Sequence, residues 1–138
     1  MSLDNLYAIS GSALNAQMVR LNSIASNIAN ISSAGNSPET TYQALRPVFS
    51  AIYDQIGNGA EGARVTVDQV FKMPASDKNR RYEPKNMLAD DEGYVYYPDI
   101  NVIQEMADML SATRSYQSSI EVMTSARKLQ QRLLGLAE

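Results

Sequence analysis

The side chains that most often perform chemistry near neutral pH are missing from this sequence. Histidine and cysteine are both absent. Their absence removes the best proton-transfer group near pH 7, the thiolate nucleophile, disulfide bonds and the usual zinc ligands. Carboxylates and lysines remain, but no pair of them has a spacing that would perturb the pKa of one member. We therefore predict no catalysis, no cofactor and no metal site.

Two charged clusters are the remaining candidates for binding ions or partners. The acidic run at 90–92 precedes Gly93 but lacks the alternating oxygen ligands and the later glutamate of a calcium loop, so it is interpreted as a solvated turn. A basic cluster at 78–85 is interrupted by Glu83, and the net charge is -3. Because a nucleic-acid binder needs a basic excess to neutralise phosphates, nucleic acid is not predicted as a partner.

The first thirty residues carry the spacing of a long helix with an unusual polar face. Apolar residues such as Leu21, Ile24 and Ile28 recur at steps of three and four. The opposite face consists of Asn and Ser residues, among them Asn22 and Asn27, and carries almost no charge. Asn and Ser each disfavour a helix by about 0.5 kcal/mol relative to Ala. Both can be packed against protein without the desolvation cost of an ion. We expect this helix to need protein neighbours on most of its faces.

A second long helix is predicted from about residue 101 to 136. Apolar residues repeat there by threes and fours without an interrupting proline, and Asn101 with Gln104 resembles a capping box. Between the helices, β-branched and aromatic runs at 46–53 and 64–71 predict short strands, and "RRYE" (80–83) predicts a hairpin with the strand at 94–97. Loops are expected at 32–41 and 55–63, where Gly, Ser and Asn concentrate.

Together these patterns predict a mainly α fold. Two long terminal helices are expected to pair as an antiparallel coiled coil, with a small β-rich insert between them. The predicted division is an N-terminal core helix at 1–34, a β-rich insert with flexible loops at 35–97 and a C-terminal core helix at 98–138. No run of about 18 apolar residues is present, so we expect no membrane insertion. No cationic segment with an apolar core and a small-residue cleavage site opens the chain, so a cleaved signal is not expected.

Both ends of the chain carry recognisable signatures. "GSALNAQMVRLNSIASNIAN" (11–30) resembles the N-terminal signature of bacterial flagellar rod, hook and hook-filament axial proteins, and "PDINVIQEMADMLSATRSYQSSIEVM" (98–123) resembles their C-terminal signature. The length, with "YQALRPVF" (42–49) and "YEPKNMLADDEGYVYYPDIN" (82–101), is most similar to the proximal-rod members of the flagellar basal-body rod protein family. The turn after "ANISS" departs from the family pattern.

The resemblance implies a structural subunit of the flagellar proximal rod. Such subunits are exported by the flagellar type III system without a cleaved signal and assemble helically, with their terminal helices packed inside a tube that crosses the periplasm and transmits torque. The implied partners are copies of the chain, other rod proteins and the export apparatus. A soluble coiled-coil adaptor or export chaperone that binds a partner helix is the alternative, and it predicts more charge on the outer helix faces.

The assembly interface is predicted on the two helices, on their apolar stripes and on the Asn-rich face. Arg114 is expected to contact an acidic residue of a neighbour, such as Glu105 or Asp108. The predicted interface residues are Leu14, Leu21, Asn22, Ile24, Asn27, Ile28, Asn30, Met106, Leu110, Arg114, Tyr116, Ile120, Met123 and Leu133.

Overall fold

The computed structural model describes residues 3–56, 60–76 and 79–135. Along the chain, two antiparallel hairpins lie between two long helices. The elements in chain order are α1 (Leu3–Ala29), β1 (Ala44–Ile56), β2 (Ala60–Met73), β3 (Arg80–Tyr82), β4 (Tyr94–Tyr96) and α2 (Val102–Gly135).

The second helix begins where its cap was predicted. The side-chain Oδ1 of Asn101 accepts hydrogen bonds from the backbone N–H groups of Ile103 (3.0 Å) and Gln104 (3.3 Å), which would otherwise have no partner in the first turn. Helix α2 then continues for 34 residues, a length of about 50 Å at 1.5 Å per residue. The prediction of a long, N-capped terminal helix is confirmed.

The two helices run antiparallel and touch through polar pairs at both ends of their contact. Arg20 of α1 forms an ion pair of 3.1 Å with Asp108 near the start of α2. The hydroxyl of Tyr7, near the start of α1, donates to Gln130 near the end of α2 at 3.4 Å. Residue numbers therefore rise along one helix as they fall along the other.

Most of the buried side chains along the two helices are small. On α2 the inward positions are Glu105, Ala112 and Ala126, spaced by multiples of seven, and all three are buried. On α1, Ala16 and Ser23 are buried and are also seven residues apart. Since the distance between packed helices depends on the side chains at the contact, this face allows a close approach of the two backbones.

The predicted mainly α fold with a coiled-coil pair is wrong. The structure contains two antiparallel sheets, and strands β1 and β2 are 13 and 14 residues long. Heptad positions of α2 that would fill a coiled-coil seam, such as Leu110 and Leu133, are exposed, so a coiled coil is not shown. The heptad pattern identifies residues that share a face, but it does not reveal that small residues, rather than leucines, meet the other helix.

The insert consists mainly of one long β-hairpin. Strands β1 and β2 pair from Ala44 opposite Met73 to Ile56 opposite Ala60, with a bulge between Val48 and Phe49. The strands predicted at 46–53 and 64–71 are confirmed, and the structure extends both. The loop expected at 55–63 is wrong for 55–56 and 60–63, which are strand, while 57–59 lie outside the described residues. Because two strands alone are marginally stable, the contact of both strands with α1 supports the hairpin.

A short second hairpin closes the insert against the 32–41 loop. Arg80 pairs with Tyr96 and Tyr82 with Tyr94, as predicted from "RRYE" and the later strand. Gly35 exchanges two backbone hydrogen bonds with Tyr96, both 2.9 Å, and this bridge ties the loop after α1 to β4. Val95, between these pairs, is fully buried.

Candidate assembly interface

One side chain of the N-terminal signature is the centre of a buried polar network. Asn27 is fully buried, and its Oδ1 accepts the backbone N–H of Leu45 (2.8 Å) and the hydroxyl of Tyr42 (3.1 Å). Its Nδ2 donates to the backbone carbonyl of Leu45 (3.0 Å) and to Oε2 of Glu105 (3.1 Å). The amide thus pairs with both backbone groups of Leu45, as a neighbouring strand would, and all of its bonding capacity is used.

Glu105 brings a carboxylate into the same buried position. Its side chain is fully buried, and Nη2 of Arg46 lies 2.6 Å from Oε1, while the Arg46 side chain stays 37% exposed. The contact between Arg46 and Oε1 is an ion pair. A buried carboxylate without its partner would cost several kcal/mol, which makes the three side chains of Asn27, Glu105 and Arg46 interdependent. We call Asn27, Glu105, Arg46 and the Leu45 backbone the Asn27 cluster.

The sequence patterns missed the inward position of Glu105. It was expected to meet Arg114 of a neighbouring subunit, but its burial and its ion pair with Arg46 prevent this. Asp108 is likewise paired with Arg20 of its own chain. The signal that could have revealed the burial of Glu105 is its seven-residue spacing from Ala112. Arg114 is exposed, and its contact with a neighbour stays a prediction.

The predicted interface residues separate into three groups in the structure. Ile24 and Asn27 are buried inside the subunit. The half-buried group consists of Leu14, Leu21, Ile28, Asn30, Tyr116 and Met123. The exposed group consists of Asn22, Met106, Leu110, Arg114, Ile120 and Leu133.

Helix α2 presents two exposed apolar patches at helical spacing. The first patch consists of Ile103, Met106 and Leu110, and the second patch consists of Val122, Leu129 and Leu133. Leu110 is 54% exposed and Leu133 is 61% exposed. Clustered apolar side chains of this size on a surface commonly mark contact sites for other proteins.

The acidic run at 90–92 forms a tight turn. Oδ1 of Asp90 accepts the backbone N–H groups of Tyr94 (2.8 Å) and Glu92 (3.0 Å), and Oδ2 accepts the hydroxyl of Tyr96 (3.2 Å). The bond from the Tyr94 N–H is the main reason that the pKa of Asp90 lies below 3.8. Gly93 completes the turn with φ of 86°, a conformation that glycine adopts without strain.

Neither a metal site nor a membrane span is found in the part of the chain that the structure describes. No group of three or more acidic side chains is arranged there to hold a metal ion. None of the described helices has the length and apolar content needed to cross a bilayer. The large apolar side chains at the surface include the two apolar patches on α2 and several residues of the long hairpin.

Comparison with known proteins identifies the family. Residues 91–136 match the family described as flagellar basal body rod FlgEFG protein C-terminal. The chain is 40% identical over 138 residues to the flagellar basal-body rod protein FlgC of Escherichia coli O6:H1, with 100% of both chains covered. It is 41% identical to the Salmonella typhimurium protein of that name over the same coverage. The Aquifex aeolicus protein of that name is 34% identical over 96% of this chain and 95% of its own length.

The C-terminal match includes the whole of α2, and the full-length matches include both helices and both hairpins. The chain therefore belongs to the flagellar basal-body rod protein FlgC family, a family of structural rod proteins.

Proposed function

We propose that this chain is a structural, non-catalytic subunit of the flagellar basal-body rod, and that the two apolar patches of α2 are its contacts with copies of itself and with other rod proteins. The observation that carries this proposal is the exposure of both patches on a helix that belongs to the family signature. Residues that face water in the single subunit are then buried in the assembly.

The patches are large enough to contribute substantially to assembly. Full burial of one such aliphatic side chain contributes about 1.5–3 kcal/mol, and the six patch residues are roughly half exposed. Covering both patches would therefore contribute about 5–9 kcal/mol before the entropic cost of association is subtracted. The gain is of the same order as the cost of association, so the patches would contribute to assembly together with other contacts.

We further propose that the subunit is exported by the flagellar type III system and transmits torque along the rod across the periplasm. The Asn- and Ser-rich face of α1 supports export, because a chain of low intrinsic helicity folds stably only after its packing partners are present. The absence of cysteine suits assembly in an oxidising compartment, since no thiol can form an incorrect disulfide.

The proposal is tested by complementation of a motile bacterium whose own proximal-rod gene has been deleted. The wild-type chain should restore swimming and should be found in purified basal bodies. Leu133→Asp should abolish both, because the new carboxylate would be buried without a partner at the second patch. Gln131→Asp is the matched control, since it places the same charge on the exposed surface of α2 two residues away.

Either of two results would refute the proposal. One is wild-type protein that is produced but absent from basal bodies, and this outcome would favour the adaptor or chaperone alternative. The other is normal swimming with Leu133→Asp, because the second patch could then not be an essential contact.

A further inference from the structure

We infer that Asn27 is a positioning residue of the subunit: its side-chain amide, held by Glu105, fixes the β1–β2 hairpin on the helix pair and so sets the surface that the hairpin presents to neighbours. The link to neighbours rests on the proposed function. The geometric part stands on the subunit alone.

Two polar contacts between described residues attach the hairpin to the helices at well-separated points. Among the described residues, the Ser12 hydroxyl accepts the backbone N–H of Val65 at 3.0 Å, which holds one edge of β2. At the base of the hairpin, the Asn27 cluster holds β1 through the Leu45 backbone and the Arg46 side chain. These contacts lie on opposite strands and at different heights, so together they define the orientation of the hairpin.

The chemistry of an amide explains why a carboxylate cannot replace the side chain of Asn27. Leu45 offers one donor and one acceptor in the spacing of a strand, and only an amide presents an acceptor and a donor side by side. In Asn27→Asp, a second carboxylate oxygen would replace Nδ2, facing the Leu45 carbonyl at 3.0 Å and Glu105 Oε2 at 3.1 Å. Two like charges this close in a site closed to water repel strongly.

Exchanging the carboxylate and the amide between positions 27 and 105 should restore the hairpin position in part, which is expected only if the two side chains act as a pair. In Asn27→Asp with Glu105→Gln, the site again contains one carboxylate, one amide and the Arg46 guanidinium. The amide of the new glutamine can donate to Asp at position 27, which reverses the direction of the 3.1 Å hydrogen bond. The contact with the Leu45 carbonyl is not restored, so the rescue should be partial.

The geometric test uses distance measurements on the purified subunit. Because the chain contains no cysteine, Gln69→Cys on β2 and Ser111→Cys on α2, both at exposed positions, can carry the only two spin labels. The wild type should give one narrow distance distribution, Asn27→Asp a broad one, and Asn27→Asp with Glu105→Gln a distribution narrowed again. Gln131→Asp, which adds a charge at an exposed position of α2, is the control and should stay narrow.

Circular dichroism of each variant separates a mispositioned hairpin from an unfolded chain. If Asn27→Asp does not fold, Glu105→Gln alone provides the test, because it leaves Arg46 without a counter-charge and should broaden the distribution while helix content is kept. A narrow distribution in the folded variant, or no narrowing in the double variant, would overturn the inference.

The same variants in the complementation strain connect geometry to assembly. Asn27→Asp should lose swimming, Gln131→Asp should keep it, and the double variant should recover part of it. If the wild-type chain fails to complement, the proposed function fails while the distance result still stands. If Asn27→Asp swims like the wild type, the role of Asn27 in assembly is refuted.

Discussion

Substitutions at Ile24 and Leu110 should have opposite effects on stability and assembly, although both residues are predicted from the sequence to lie in the assembly interface. Ile24 is 3% exposed on the inner side of α1, whereas Leu110 is 54% exposed on the first patch. Substitution by Ala removes three carbon atoms in each case. At about 0.8 kcal/mol per buried methylene plus the cost of an unfilled cavity, Ile24→Ala should reduce the free energy of unfolding by about 3 kcal/mol.

Leu110→Ala should behave differently in the single subunit. Much of the side chain is already in water and no cavity forms, so the loss of unfolding free energy should stay below about 1 kcal/mol. The difference of at least about 2 kcal/mol corresponds to roughly a 30-fold difference in the folding equilibrium constant. In the proposed assembly the order should change, because Leu110 would then be covered by a neighbour.

Urea unfolding followed by circular dichroism measures the first effect, and the m value should be the same for both variants. Basal-body incorporation measures the second, in cells grown at a temperature where Ile24→Ala remains folded. Leu110→Ala should reduce incorporation although its stability is nearly normal. Equal destabilisation of the purified subunit by the two substitutions would refute the assignment of Ile24 to the core and of Leu110 to the surface.

Two further predictions concern the second hairpin and its loop. Gly35→Ala should reduce the free energy of unfolding by about 1–3 kcal/mol in urea titrations, because the new Cβ would lie 2.9 Å from the Thr41 backbone. An unchanged midpoint of urea unfolding would contradict this close packing. The pKa of Asp90, measured by carbon-detected NMR, should lie below 3.8. Because the folded pKa is depressed, the stability that Asp90 contributes is present above its unfolded pKa and is lost as the pH falls through the folded pKa. An ordinary pKa would show that the hydrogen bond from the Tyr94 N–H is not made in solution.

Local patterns identified the elements of this protein more reliably than their packing. The cap at Asn101, the "RRYE" hairpin and the two central strands depend on signals within a few residues, and all are present. The length of the β1–β2 hairpin was underestimated because Gly62 and Ala63 were interpreted as loop residues. Pairing with β1 overrides their weak strand preference, as tertiary context often does.

The inward faces of the helices could not be deduced from hydrophobicity. The pattern groups Leu110 with other apolar residues and leaves Glu105 among the polar ones, yet the structure buries Glu105 and exposes Leu110. A subunit of an assembly has two kinds of apolar surface, one for its own core and one for its neighbours, and both carry the same periodicity. Arg46 and Asn27, which both contact the carboxylate, allow Glu105 to be buried on the inward face of α2.

The location of the Asn27 cluster has a mechanical consequence. Strand β1 enters the long hairpin and β2 leaves it at the same end, where Ala44 is opposite Met73. A force that pulled these two ends apart would break the β1–β2 residue pairs one after another. This is the weakest direction in which a two-stranded sheet can be loaded. Leu45 and Arg46, the residues next to that opening, are instead tied directly to both helices. The Asn27–Glu105 hydrogen bond also joins the two helices at this point, so a load applied at the open end of the hairpin would pass to α1 and α2 before it reached the pairs farther along the strands.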